Sequence, residues 1–515
     1  MSDWSHGYNV SLGYTYGFYR ELSPDWLDLC TRISGFVPPT RGANGGFRYL
    51  ELGSGQGVGL CLLAAANPAA EFVGIDFNPE HIAHSKGLAA AAGLSNIRFI
   101  EGDFAELGAD WPADLGQFDY VVMHGIYSWI PPEVRRALVR CLDHAVPPGG
   151  LVYNSYNTKP GWVSTMPFQH MARRLQMVTA KPGPAVIDDT VKLFESLGES
   201  NSAIFRVLPT LKARIDSVKT QNRAYLVQEY LHENWHPLWF SEVAAEFGTA
   251  KLNFVGAATM AELMLPGLLP ADTRDIIAGQ GDLIFRQEVQ DCAINQSFRR
   301  DIFCRGARRT FNRGIDTAFE TELHLVAPPK EEDDTLKIST SFGELTLKRA
   351  SYAEAITALE QGPKTIGEIA ALPEFRKQGT SSAIQTLLLL IHTGGIGVGA
   401  AKRVDPKPAQ RFNTMLARAV CEGAPYTHLA VPVLGSALSV SDIDCMLFDA
   451  WLAAPKSDAA KLGKGLSERL ARLGRKLQQN GQPLEGAAAQ ERIDAMSAAF
   501  IDNNLPRWRR VGAVA

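Results

Sequence analysis

The residues best placed to do chemistry are a glycine-rich turn and the polar side chains that end several apolar runs. The turn lies in Arg48 to Gly59, R-Y-L-E-L-G-S-G-Q-G-V-G, where an apolar run carrying Glu51 gives way to Gly53, Ser54, Gly55 and Gly57 and then to the helix-prone L-C-L-L-A-A-A. Glycines where a strand turns into a helix let a ligand come close to backbone. Spacing narrows the ligand. A dinucleotide fingerprint begun at Gly53 or Gly55 needs glycine at 58 or 60, which are Val58 and Leu60. A phosphate-cradling loop ends in G-K-[ST], and the first lysine after the turn is Lys86. What remains, E-x-G-x-G-x-G, suits a ligand with no phosphate to anchor. Asp76 ends E-F-V-G-I-D, 19 residues beyond Gly57 (76 − 57), and is followed by Phe77. A carboxylate there is placed to accept both ribose hydroxyls of an adenosine-containing ligand. Asp103, with Phe104 after it, ends N-I-R-F-I-E-G-D, and its other reading is a helix N-cap. His124, Tyr127 and Trp129 follow F-D-Y-V-V-M, and the Tyr127 and Trp129 rings are placed to wall an acceptor amine. The competing reading of Trp129 is core packing.

These positions require a particular scaffold. Apolar runs over 47–52, 71–76, 96–104, 118–130 and 149–156 read as strands alternating with helices, including Val58 to Ala66 and one capped by Asn78-Pro79, so an α/β, doubly wound sheet is expected, with every candidate at a strand C-terminus. Upstream, H-G-Y-N-V-S-L-G-Y-T-Y-G-F-Y-R-E-L at 6–22 offers Tyr14, Tyr16 and Tyr19 as an aromatic lid over a ligand, or as a strap on the surface. Residues 160–235 read as a helical insertion, and Ser241 to Ala257 as the helix and strand that resume the sheet. The arginine-rich Gln296 to Arg313 is expected as a helix face salt-bridged to a neighbouring domain. The acidic run Ala327 to Thr335 marks a linker. Hairpin, helix, helix and Gly-rich turn then suggest a winged-helix-like domain at 336–405, and a helical C-terminal region fills 406–515. The expected organisation is a catalytic domain over 1–265, a middle segment over 266–330, and these two.

Composition excludes several classes. A net charge of −4 argues against a protein whose main work is gripping nucleic acid. The 7 cysteines are dispersed without C-x-x-C or Cys/His spacing, which suggests reduced thiols, with neither a disulfide frame nor a metal site. The N-terminus lacks a signal-peptide pattern, and the most apolar run, Leu387 to Ile391, is far too short to insert in a membrane. A cytoplasmic protein is expected.

The glycine turn resembles motif I of the class I S-adenosylmethionine-dependent methyltransferases. Together with the N-terminal tyrosine segment, G-I-Y-S-W-I-P at 125–131 and Y-L-V-Q-E-Y-L-H-E-N-W-H-P-L-W-F at 225–240, the chain resembles bacterial methyltransferases carrying a methyltransferase regulatory domain, a group similar to the rickettsial outer-membrane-protein lysine methyltransferases. The resemblance implies a Rossmann-like sheet that binds S-adenosylmethionine and releases S-adenosylhomocysteine. It implies cofactor contacts from Glu51, Gly53, Ser54, Gly55, Asp76, Phe77, Asp103, Phe104 and His124, with Tyr14 and Tyr19 over the site. Tyr16, Tyr127 and Trp129 would guide or wall the acceptor. That acceptor would be a protein lysine, or a small molecule taking methyl on nitrogen or oxygen. A regulator that binds the cofactor without turnover is the third reading. A nucleic-acid amino-methyltransferase would show [DNS]-P-P-[YFW] where this chain has H-G-I-Y, and a cytosine-C5 enzyme would need a Pro-Cys pair, which is missing. The additional domains are expected to recruit substrate or to pair two copies of the chain.

Overall fold

Apolar runs set the strands, and the glycines and caps between them set where each helix starts. In the computed structural model, which describes residues 16–310, 318–400, 404–479 and 482–515, the strands are β1 Arg48–Leu52, β2 Glu71–Asp76, β3 Ile97–Glu101, β4 Tyr120–Met123 and β5 Leu151–Asn157. β6 Leu252–Ala257 and β7 Phe298–Arg305 complete one seven-stranded sheet in the order β3-β2-β1-β4-β5-β7-β6. β1 pairs in parallel with β2, and β4 with β5, whereas β7 runs antiparallel to both β5 and β6. The described residues form two compact units. One is Glu101–Arg308 with Ser339–Glu344; the other is Tyr16–Ile100, Arg309–Ile338 and Leu345–Ala515.

In the second unit, α1 Pro24–Ile33 precedes β1, α2 Val58–Ala66 joins β1 to β2, and α3 Pro79–Ala92 follows β2. Asn78 caps α3 by accepting the Glu80 N–H at 2.9 Å, and Gly93 closes it in the left-handed conformation. α2 is apolar on nearly every side, and a helix of that kind needs cover all round. Within this unit, β13 His428–Val431, β14 Ser436–Ser439 and the helix Lys407–Cys421 supply it, packing on α2 from the tail of the chain. The described residues of the tail lie in the same compact unit as β1, β2 and their helices.

In the first unit, α4 Phe104–Leu107 and α5 Pro132–Ala145 accompany the sheet. The expected insertion is helical: α6 Met166–Thr179, α7 Gly183–Glu199, α8 Ala203–Val207, α9 Thr210–Thr220 and α10 Arg223–Tyr230. It has its own core, in which Trp129, Trp162, Phe168, Phe194 and Tyr230 meet. α11 Phe240–Gly248 then leads into β6, and α12 Met260–Leu263, α13 Ala271–Ala278 and α14 Leu283–Ile294 lead to β7.

The arginine-rich segment corrects the sequence expectation. Its part Phe298–Arg305 is the strand β7, held antiparallel between β5 and β6 with Arg299 and the run Asp301 to Cys304 buried. Arg299 is only 4% exposed, so its charge is neutralised internally. Its guanidinium donates to Asp291 at 2.6 Å, to Asp301 at 2.9 Å and to Gln287 at 2.9 Å, and lies 4.3 Å from the Phe240 ring centre.

Farther on, β8 Glu322–Leu325 pairs antiparallel with β11 Lys364–Thr365 and β12 Ile396–Val398, and β9 Thr335–Thr340 forms a hairpin with β10 Gly343–Lys348. The acidic run taken for a linker is tied down, since Glu331 accepts from Arg349 at 2.6 Å and from the Tyr352 hydroxyl at 3.0 Å. No helix among the described residues is long and apolar enough to cross a membrane.

Candidate functional site

The glycine turn is held from within. Gly53 and Ser54 donate their N–H groups to the Ile75 carbonyl at 2.7 and 3.1 Å, which draws the turn onto the end of β2. Asp76, 5% exposed, accepts the Gly55 N–H on Oδ2 at 2.8 Å and the Asn78 N–H on Oδ1 at 2.9 Å. Gly57 has φ of +71°, and a Cβ there would sit 2.3 Å from the Ser85 hydroxyl, so this position admits only glycine. The Ser54 hydroxyl oxygen is buried with no hydrogen-bond partner among the described residues. Glu51 is buried at the end of β1, and burial, reinforced by the Asp76 charge, pushes its carboxyl up to about 8 from the ordinary 4.5. Phe77, half-buried, follows Asp76. With Asp76 as its acidic side chain and Glu51 held as a neutral acid near neutral pH, the turn shows no lysine or arginine among its own residues to pair a phosphate. The Asp76 carboxylate suits a ligand that carries a cationic group and hydroxyls.

Of the N-terminal tyrosines, Tyr14 lies outside the described residues. Tyr16 is edge-on to His84 and Tyr426, with centroids 5.3 and 6.0 Å away, and Tyr19 begins the turn Arg20–Leu22. The Gly17 carbonyl passes over the first turn of α2, 3.5 Å from where a Cβ on Gly59 would stand. The described part of this segment is therefore a packed strap.

In the other unit, one oxygen of Asp103 accepts the Ala105 N–H at 2.7 Å, which is the N-cap role, and Phe104 is buried on α4. His124 lies past the end of β4 with Nδ1 3.0 Å from both the Tyr153 and Ser155 hydroxyls. Burial, then the Arg300 charge, pushes its imidazole down to about 3, so it is neutral at physiological pH. Tyr127 and Trp129 were expected as aromatic walls, but both are packed inside. Tyr127 is fully buried, its hydroxyl donating to Glu246, which Arg135 also meets at 3.3 Å. Trp129 sits in the insertion core, 5.0 Å from His232. Trp129 is drawn in by the insertion core and Tyr127 by Glu246 and Phe247 of α11, neighbours that the sequence does not reveal. Part of the Tyr225–Phe240 motif also turns inward, with Glu229 buried beside Asn157 and Trp235 against Trp162, while Tyr225 stays exposed.

Sequence reading missed the histidines of α3. His81 Nδ1 stands 3.2 Å from Asp76 Oδ1, and His84 Nδ1 stands 2.7 Å from the Gln56 carbonyl oxygen. The signal was available: H-I-A-H places them three apart, on one helix face, directly after the Asn-Pro cap.

Residues 43–230 match the family described as methyltransferase domain, and residues 222–305 the family described as predicted methyltransferase regulatory domain. The uncharacterized protein sll1526 of Synechocystis sp. is 33% identical over 519 residues, 99% of each chain. The chain belongs to the class I methyltransferases that carry a methyltransferase regulatory domain. The uncharacterized protein RP789 of Rickettsia prowazekii is 26% identical to this methyltransferase over 274 residues, 52% of this chain and 48% of that one. PKMT2 from Rickettsia typhi, solved in complex with AdoHcy, shares its fold with a TM-score of 0.72 at 18% identity, over 97% of this chain and 99% of that one. S-adenosylmethionine is the methyltransferase's cofactor.

The raised Glu51 carboxyl has a measurable consequence. Its proton is held to about pH 8 in the folded chain and only to about 4.5 when unfolded, so the folded state carries an extra proton between these values. Stability from this group is complete below the lower value and is lost as pH rises through the upper one. Glu51→Gln should match the native protein near about pH 5 in urea midpoint and exceed it near about pH 9. Equal shifts at both would show that the carboxyl is ionised throughout.

Proposed function

We propose that this methyltransferase transfers the methyl group to the side-chain amine of a lysine in a protein. The observation that carries the reading is the reach of the structural likeness to PKMT2, a rickettsial protein lysine methyltransferase, which runs through the insertion and the tail as well as the cofactor half. Domains of that extent suit a macromolecular acceptor. The insertion also supports it, with an open groove of about 580 Å³ lined by Lys159, Met166, His170, Met171, Trp235 and Pro237. Met166 and Met171 are 42% and 46% exposed, and thioether side chains adapt to a peptide surface. Dispersed free cysteines, exposed only at Cys292, suit a cytoplasmic enzyme.

When bound, S-adenosylmethionine supplies a methyl carbon made electrophilic by its cationic sulfur. The chain's part is to hold the cofactor through Asp76 and the glycine turn, align the amine in line with the methyl carbon, and exclude water. A lysine amine attacks only when neutral, and burial beside a positive charge lowers its pKa in that direction. A small-molecule N- or O-methyltransferase is the second reading, because the same groove would also take a small acceptor. The two separate when methyl-labelled cofactor is incubated with the protein and a cell lysate, before and after protease and nuclease treatment. Label in a discrete protein band that maps to lysine supports the proposal. Label confined to the low-mass fraction overturns it.

A further inference from the structure

The histidine face of α3 is met by a tyrosine from the tail. A carbonyl only accepts, so the 2.7 Å contact between His84 Nδ1 and the Gln56 oxygen assigns the hydrogen to Nδ1. In the neutral ring, Nε2 then accepts from the Tyr426 hydroxyl at 3.1 Å. Tyr16 braces both rings edge-on. Gln56 is 4% exposed and stands between Gly55 and Gly57, so its peptide is flanked by residues with little torsional restraint of their own. His81 meets Asp76 from the same face, and Asp76 holds the Gly55 N–H, so successive peptides of the turn are gripped by one side of one helix. Tyr426 is itself anchored. Nearby in the tail, the Gly435 carbonyl accepts from Asn67 Nδ2 at 2.9 Å, and the Ser436 and Ser23 hydroxyls meet at 2.6 Å.

We propose that Tyr426 and His84 are positioning residues for the cofactor: through them the tail holds the Gln56 peptide, and with it the turn from Gly53 to Gly57, in the form that takes S-adenosylmethionine. This rests on the glycine turn being the cofactor site. The tail thereby becomes a working part of cofactor binding, though it contributes no residue to the turn.

Tyr426→Phe keeps the ring against Tyr16 and removes only the hydroxyl. It should weaken S-adenosylhomocysteine binding by about threefold to tenfold in calorimetry, the worth of one hydrogen bond. In the ligand-free protein, hydrogen exchange should quicken in the peptide spanning residues 52–60, with the melting temperature and the exchange elsewhere unchanged. His84→Gln, whose amide can still donate to the Gln56 carbonyl, should bind more tightly than His84→Ala; a merely structural role would not produce that rescue. The proposal is overturned if Tyr426→Phe binds within about 1.5-fold of native and its turn exchanges at the native rate. If the native protein does not bind S-adenosylhomocysteine, the reading of the turn as the cofactor site fails instead. The exchange measurement still decides whether Tyr426 holds the turn.

Discussion

Asp76→Ala is expected to lower the affinity of this methyltransferase for S-adenosylhomocysteine by about 100-fold or more, roughly 3 kcal/mol. The carboxylate has two tasks that both fail in the variant. It accepts the backbone N–H groups of Gly55 and Asn78, fixing the glycine turn to the start of α3. At the C-terminal tip of β2 it is also placed to accept ribose hydroxyls. Each charge-assisted hydrogen bond is worth about 1.5–3 kcal/mol, so loss of either task alone is readily measured. Calorimetry with a cofactor analogue lacking both ribose hydroxyls separates them. If the ribose contact dominates, native protein and variant bind the analogue to within about threefold of each other. If the variant loses the analogue as well, Asp76 acts on the turn. Native-like binding of S-adenosylhomocysteine by Asp76→Ala would remove the residue from the site altogether.

Arg299→Ala should cost about 3–5 kcal/mol of folding stability in urea denaturation near neutral pH. The guanidinium is the buried cation between Asp291 and Asp301, and Asp301 also accepts from the fully buried Tyr156 hydroxyl at 2.7 Å. Removing it strands two carboxylates in the interior, which is far more costly than losing an exposed ion pair. Burial already pushes the Asp291 carboxyl up to about 7 against the pull of Arg299. Without the arginine, the Asp291 carboxyl is driven further toward its neutral form. Its folded pKa lies above the unfolded one, so the variant's deficit should shrink as pH falls and widen as it rises. A loss below about 1 kcal/mol, or one independent of pH, would show that the network is not what joins β7 to α14.

The cofactor half of the molecule was legible because its determinants are local. A strand, a tight turn and a helix start are specified within a few residues, and β2 and α2 occupy the very residues expected, Glu71–Asp76 and Val58–Ala66. The turn residues and Asp76 needed only that local grammar to be found. β7 was misread because six arginines in eighteen residues read as a solvated face, and F-R-R-D-I-F-C-R shows no alternation that would mark a strand buried with its charges. Arg299 becomes tolerable inside only when Asp291, eight residues earlier and on a different element, arrives beside it.

Tyr127 and Trp129 show the same limit from the other direction. Their place after β4 was read correctly, but their rings were claimed by Glu246 and by the insertion core, partners more than a hundred residues away in the first case. What the sequence alone determined was the make-up of the turn: two acidic residues, Glu51 and Asp76, and glycine at 57, where Ser85 leaves no room for a side chain. Only the tertiary structure decided who holds that turn in place. Burial and hydrogen bonding between segments far apart in the chain are cooperative, so the His84–Tyr426 contact, 342 residues apart, leaves no periodicity or spacing for a reader of the sequence to find.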